Sequence, residues 1–319
     1  MATTKVLLIL GRGRSGSTIL GNLLGELDGF VSVGELFNVF KRGLVMGHTC
    51  GCGRSVAACA LWSRVMATAL ATPGGPIAPA DVVEWQQQMA GAAADTRKLL
   101  RVRSPEGGST ALGSYVSVLG RVYAALAEET GESVIVDSSK RPPHGAYMHL
   151  VPGITPYFVQ LVRDARAAAF SRARLRQTVD KEMRVEGAAS SAVRWMRRNL
   201  HSEAVRRRYP SESSLLVRYE DFVAHPRRTL EEIARMIGEQ PGEFPFLDDK
   251  TAVLRTNHSV SGNPSRFETG SVSLKIDGEW LRAQRAKDKL TTTALTWPLL
   301  LRYGYPLRPV HGRIAEKAH

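Results

Sequence analysis

Residues 5–10 read KVLLIL, an unbroken apolar run that stops at Gly11. A loop rich in glycine and hydroxyl side chains follows, and then Ile19, Leu20, Leu23, Leu24 and Leu27 recur at helical spacing. A continuous apolar run of this length fits a strand buried on both faces, and the later spacing fits a helix with one apolar stripe. Strand, tight loop and helix in that order point to an α/β fold, because such a strand must be covered from two sides. Short, apolar, β-branched runs recur at 133–136, 157–162 and 214–217, separated by helical stretches at 80–100, 114–130 and 188–208. The expected architecture is three-layered, with a central parallel sheet flanked by helices.

The chain has 319 residues, enough for one large or two small domains. The TPGGPIAP segment at 72–79 breaks one helix from the next but is too short to divide domains. The expectation is one domain over 1–310 with a helical insertion at about 57–130, followed by a frayed tail at 311–319. A segment of mixed charge and poor periodicity, 172–189, is read as a cover over a site.

Lys and Arg number 43 against 30 Asp and Glu, a formal charge of +13, which favours anionic partners and says nothing about fold. Nucleic acid is disfavoured, since aromatic residues are only 7% and no helix-turn-helix or zinc-finger pattern occurs. Basic clusters at 163–176, 194–208 and 282–289 read as solvated helix faces. No apolar run approaches the roughly 18 residues of a membrane span. The start lacks the layout of a secretory signal, so the expected location is cytoplasmic, with no integral membrane segment. Oligomeric state is not legible.

The loop itself, Gly11-Arg12-Gly13-Arg14-Ser15-Gly16-Ser17-Thr18, is the strongest local signal. Between a strand and a helix, such a turn aims backbone N–H groups and a helix start at one point, where a phosphate or sulfate can bind. Gly11, Gly16 and Thr18 match the pattern G-x-x-x-x-G-K-[ST], which makes the expected fold P-loop-like. Ser17, however, occupies the lysine position. Arg14 is the substitute cation, and Ser15, Ser17 and Thr18 add hydroxyl donors. A P-loop kinase using ATP and Mg²⁺ is the alternative, with Asp137 after an apolar strand as its one Walker B-like support.

The loop Arg14-Ser15-Gly16-Ser17-Thr18 resembles the 5′-phosphosulfate loop of sulfotransferases that use 3′-phosphoadenosine 5′-phosphosulfate (PAPS), in the form shared by bacterial and Golgi-type members. Four further segments carry the resemblance. Residues 161–171, LVRDARAAAFS, resemble the 3′-phosphate motif, which implies that Arg163 and Ser171 hold that phosphate. Residues 134–140, VIVDSSK, resemble the D-S-S-K segment beside the transferring group, with Lys140 as a second cation. Residues 216–222, LVRYEDF, resemble the R-Y-E-D strand end near the nucleotide, where Tyr219 packs. Residues 258–267, HSVSGNPSRF, followed by DGEWL at 277–281, resemble the loops that close over the nucleotide through Asn263 and Arg266.

The resemblance implies in-line sulfuryl transfer from PAPS to an acceptor hydroxyl of a small molecule, glycolipid or saccharide. Arg14 and Lys140 would stabilise the departing phosphate oxygen. A general base is expected. Golgi-type members use a Glu soon after the first helix, which corresponds to Glu35 in VSVGELFN at 31–38; members that use a His make His48 and His144 alternatives. High Ala, Arg and Gly suit a GC-rich bacterial gene and a role in specialised metabolism. Segments 35–61, 72–103 and 172–189 are expected to shape the acceptor pocket.

His48, Cys50, Cys52 and Cys59 form H-x-C-x-C-x₆-C, enough ligands for tetrahedral zinc but irregular in spacing for common structural sites. Free thiols are the simplest reading in a cytoplasmic protein, and a disulfide is a third. The transfer itself needs no metal, and none is expected.

Overall fold

The computed structural model describes residues 3–92, 96–174 and 186–308. In chain order, β1 (Thr4–Gly11), α1 (Ser17–Leu24) and β2 (Phe30–Gly34) open the fold. A π-helical turn (Val39–Val45) then leads to α2 (Ala60–Leu70), α3 (Pro79–Ala92), α4 (Thr96–Leu99) and α5 (Thr110–Thr130). The sheet resumes with β3 (Val134–Lys140), α6 (Pro142–Ala146), β4 (Ile154–Val162), α7 (Ala165–Arg174), α8 (Ala188–Arg206) and β5 (Ser214–Arg218). The chain continues through α9 (Tyr219–Ala224), α10 (Pro226–Ile237), the ribbon strands β6 (Thr251–Leu254) and β7 (Gly270–Ser273), α11 (Glu279–Ala283) and α12 (Ala286–Arg302).

Five strands form one parallel sheet in the order β2-β3-β1-β4-β5. The KVLLIL run is its centre, and residues Val6 to Leu10 are fully buried. Period-two alternation divides that run between two cores. Val6, Leu8 and Leu10 pack on the side of Trp62, Tyr115 and Tyr123, while Leu7 and Ile9 pack with Leu20, Leu23, Leu230 and Ile233. Helices therefore cover both faces, as continuous apolar patterning requires.

β2 departs from the sequence reading, which took Val31 to Gly34 only as the approach to Glu35. At five residues with Ser32 and Gly34 among them, it is too short and mixed to show an apolar run, but pairing with β3 buries it. The helix expected over 80–100 is two elements, α3 and α4; residues 93–95 between them lie outside the described residues. α5 starts earlier than expected, at Thr110, where the Ser109 hydroxyl accepts from the Leu112 N–H at 3.2 Å. The 311–319 tail and residues 175–185 of the expected cover also lie outside the described residues. Among the described residues, no helix is long and apolar enough to cross a membrane.

Two features aim the chain at a site. β1 and its neighbour β4 send their outgoing connections to opposite edges of the sheet, β1 toward β2 and β4 toward β5, and in open α/β sheets a crevice forms at the carboxyl ends of such strands. The β6–β7 ribbon holds the 255–269 loop at that same end. Its base is anchored where Arg255 Nε meets Glu26 Oε2 at 2.7 Å.

Candidate active site

At the carboxyl end of β1 the chain turns through Gly11 at φ 142°, Arg14 at φ 76° and Gly16 at φ 88° before α1 begins at Ser17. Gly16 has a packing reason as well as a conformational one: a Cβ there would lie 2.5 Å from the Tyr219 ring. The Ser15 hydroxyl is spent inside the loop, donating to the Arg12 carbonyl at 2.7 Å. Gly11, Gly13, Gly16, Ser17 and Thr18 face a cavity of about 1130 Å³.

The cavity is strongly cationic. Arg12, Arg14, Arg42, Lys140, Arg141, Arg163, Arg172, Arg194 and Arg198 line it, against the carboxylates of Glu35, Glu186 and Asp277. Burial, followed by Arg172, brings Arg12 down to about 10 even though Glu186 pulls the other way. Burial, followed by Arg141 and Arg12, does the same to Arg198. Arg14 is lowered by burial and by Arg163, Arg172 and Arg174. All stay charged at neutral pH, so the wall is a set of half-desolvated like charges, an arrangement that an anion relieves.

Arg14 and Arg163 are coupled directly. Arg14 Nε donates to Ser171 Oγ at 3.1 Å, and Arg163 Nη1 donates to the Arg14 carbonyl at 3.1 Å. Arg163 Nη2 meets Asp277 at 3.0 Å, and its guanidinium lies over the Tyr219 ring at 4.6 Å. The loop and the 161–171 segment thus make one continuous wall rather than two separate ones. Arg163 does not pair with its neighbour Asp164, whose carboxylate is taken by the fully buried Arg166 at 2.7 and 2.9 Å. Arg163 Nε and Arg172 Nε are buried without a hydrogen-bond partner among the described residues.

Across the cavity, Lys140 Nζ forms an ion pair with Glu35 Oε1, each side chain about 15% exposed. Glu35 Oε2 accepts from Asn38 Nδ2 at 2.6 Å. The Glu35 N–H donates to the Val260 carbonyl at 2.8 Å, and Val260 N–H donates to Val33 at 3.0 Å, so the 258–265 loop is stitched to the end of β2. There the Asn263 N–H reaches Thr18 Oγ1 at 3.4 Å. Arg14, Lys140 and Ser261 are the non-glycine residues with positive φ among the described residues. All three belong to this site: the first two line the cavity, and Ser261 Oγ accepts from Arg42 at 3.2 Å.

Of the residues singled out in the sequence, Arg14, Gly16, Ser17, Thr18, Glu35, Lys140, Arg163, Ser171, Tyr219 and Asn263 line the cavity. Ser15 and Arg266 do not. Arg266 turns away, donating to the Thr49 carbonyl at 3.1 Å and stacking on Phe267 at 4.2 Å. Neither histidine alternative lines the cavity. His144 is fully buried between Asp137 at 3.1 Å and the Tyr147 hydroxyl at 2.8 Å. The 72–103 segment, expected to help shape a pocket, supplies none of the described lining residues; it supports the wall from behind, where Gln86 Nε2 donates to the Phe37 carbonyl at 3.0 Å.

Sequence reasoning quoted Arg12 in the loop without giving it a role, and missed Arg172, Arg194 and Arg198, having read the basic clusters as solvated faces. On α8 the signal is the four-residue spacing of Arg194 and Arg198, which places both on one side. The exposed Arg197 and Arg207 keep the solvated role.

A profile described as "Sulfotransferase family" matches residues 7–241. No curated protein sequence matches the chain. Among solved structures, the sulfotransferase domain from the curacin biosynthetic pathway aligns at TM-score 0.54 and 17% identity, over 96% of this chain and all of that one. The sulfotransferase domain from the Synechococcus PCC 7002 olefin synthase aligns at TM-score 0.47 and 19% identity, over 96% and 97%. At such identities the first likeness speaks for the fold, and the second adds no argument. With the profile spanning most of the chain and an anion-suited cavity at the end of its central sheet, this protein belongs to the sulfotransferase family.

Proposed function

We propose that the chain is a PAPS-dependent sulfotransferase that moves a sulfuryl group to an acceptor hydroxyl on a small molecule or glycan, within a single domain spanning 1–310. The observation that carries the reading is the unbroken wall Ser171–Arg14–Arg163 beside the α1 start, with Glu35 and Lys140 facing it across one cavity. PAPS, when bound, supplies an activated sulfuryl group esterified to a phosphate leaving group.

The residues fit such a nucleotide, anionic at both ends. The loop N–H groups and the hydroxyls of Ser17 and Thr18 offer donors at a helix start. The buried, unpartnered Nε atoms of Arg163 and Arg172 are donors that a phosphate would satisfy. Arg163 and Ser171 hold the 3′-phosphate, Tyr219 packs beside them, and Arg14 counters the charge that grows on the departing phosphate oxygen. Glu35 takes the acceptor proton as the acceptor oxygen bonds to sulfur and the sulfur–phosphate oxygen bond breaks. Lys140, paired with Glu35 here, shifts toward the developing negative charge and frees the carboxylate.

The kinase alternative loses its acid. Asp137 Oδ1 accepts from the Ser139 N–H at 2.8 Å and the Ser139 hydroxyl at 2.5 Å, and Oδ2 from the Tyr123 hydroxyl at 3.0 Å and His144 at 3.1 Å. A carboxylate has about four lone-pair sites, and these four bonds leave none for Mg²⁺. A cytoplasmic, bacterial setting in specialised metabolism belongs to the same reading. Incubation with radiolabelled PAPS and pools of hydroxylated metabolites and glycans should label an acceptor without added metal. Label moving from ATP with Mg²⁺, and none from PAPS, would reverse the assignment.

A further inference from the structure

We propose that Cys50, Cys52, Cys59 and His258 form a structural zinc site that clips the 50–59 segment to the loop walling the cavity. The inference is independent of which nucleotide the cavity takes. The histidine that the sequence offers beside these cysteines, His48, is not the one the fold brings in. The imidazole comes instead from His258, some two hundred residues away, and the four donor atoms lie within 4.8 Å of one another.

The geometry is close to that of a filled site. His258 Nδ1 lies 3.2 Å from Cys59 Sγ and 3.8 Å from Cys50 Sγ. Zn–S bonds of about 2.3 Å and Zn–N bonds of about 2.0–2.1 Å at tetrahedral angles separate neighbouring donors by roughly 3.5–3.8 Å. Three thiolates and one imidazole are a soft set that suits zinc and excludes Mg²⁺ or Ca²⁺ as occupants. Four protein donors leave no open position, as in structural rather than catalytic zinc sites; Cys50 and Cys59 are fully buried, and Cys52 and His258 half-buried. A disulfide would use two of the three sulfurs and leave the imidazole against a lone thiol.

The backbone around the donors is already fixed. Cys50 N–H donates to the Arg54 carbonyl at 2.7 Å and Gly53 N–H to the Cys50 carbonyl at 2.9 Å, a tight knuckle that needs Gly53 at φ 85°. On the other side, Trp62 Nε1 donates to the His258 carbonyl at 2.8 Å, and Gly51 N–H donates to Ser259 at 2.9 Å. Metal binding would expel three thiol protons and leave the cluster with one net negative charge. Its mechanical effect falls on Val260, two residues beyond His258, whose carbonyl receives the Glu35 N–H.

The test is metal analysis of the full-length protein purified from zinc-replete cells without chelators. The expected result is about one zinc per chain, released by a thiol-modifying mercurial. Cobalt replacement should give tetrahedral visible bands and a thiolate-to-cobalt charge-transfer band. Cys59→Ser and His258→Ala should lose the metal, and His258→Cys, which keeps four soft ligands, should retain it. Zinc-free protein whose three thiols titrate freely, or which carries a disulfide by mass spectrometry, would overturn the proposal. So would full zinc content and an unchanged cobalt spectrum in His258→Ala.

Discussion

Arg14 at φ 76° and Lys140 at φ 60° hold backbone conformations that cost non-glycine residues about 1–3 kcal/mol each, and both line the cavity. Strain gathered at one site, with crowded guanidinium groups around it, marks residues placed for chemistry rather than for stability. Their substitutions should separate binding from turnover. Arg163→Ala removes the donor proposed to hold the 3′-phosphate and should weaken nucleotide binding by about 1.5–3 kcal/mol, roughly ten- to a hundred-and-fiftyfold in Kd. Arg14→Ala should act mainly on kcat; titration of both variants with adenosine 3′,5′-bisphosphate checks this, and parental affinity in Arg163→Ala would contradict it. Glu35→Gln, which keeps shape and loses basicity, should lower kcat by about 10²- to 10⁴-fold with nucleotide affinity unchanged, read from initial rates across pH. These residues were legible because each belongs to a short pattern near a strand end or a helix start. Arg172 and Arg198 were not, since a helical arginine facing a cavity and one facing water have the same local sequence.

At the scale of elements, the site is made by strand ends, and their interiors keep those ends in place. Asp137 sits within β3, fully buried, where its four hydrogen bonds tie the strand to α5 through Tyr123 and to α6 through His144. Burial pushes its carboxyl up, but donation from His144 and Ser139 outweighs that and holds it below the ordinary value. A depressed carboxyl contributes stability that is present above its unfolded pKa of about 3.9 and lost as pH falls through the folded value. Asp137→Asn should therefore cost about 1–3 kcal/mol at pH 7, with the gap to the parent narrowing below about pH 4. Urea midpoints at both pH values measure this, and an equal gap at both would contradict it. The sequence showed β1, β3, β4 and β5 because their apolar runs are continuous. β2 escaped because its burial comes from its neighbour. His258 beside Cys59 escaped because a contact between distant loops leaves no periodic trace.

Over the whole molecule, the formal charge of +13 carries less information than where the charge lies. Among the described residues, nine basic side chains converge on one cavity with three carboxylates, at the point where the connections of the parallel sheet part toward its two edges. The three-layer architecture was legible from strand and helix alternation. The convergence was not, because it depends on which helix faces turn inward once the sheet has formed. The central claim is that this cavity takes a nucleotide with phosphates at both ribose ends and needs no metal to do so. Thermal unfolding with adenosine 3′,5′-bisphosphate, in buffer without divalent cations, tests it most directly. Ligand at about a hundred times its Kd should add about 2.7 kcal/mol and raise Tm by several degrees, whereas ATP should give a smaller rise that Mg²⁺ does not enlarge. An unchanged Tm with the bisphosphate, or a rise that appears only with ATP and Mg²⁺, would contradict the account.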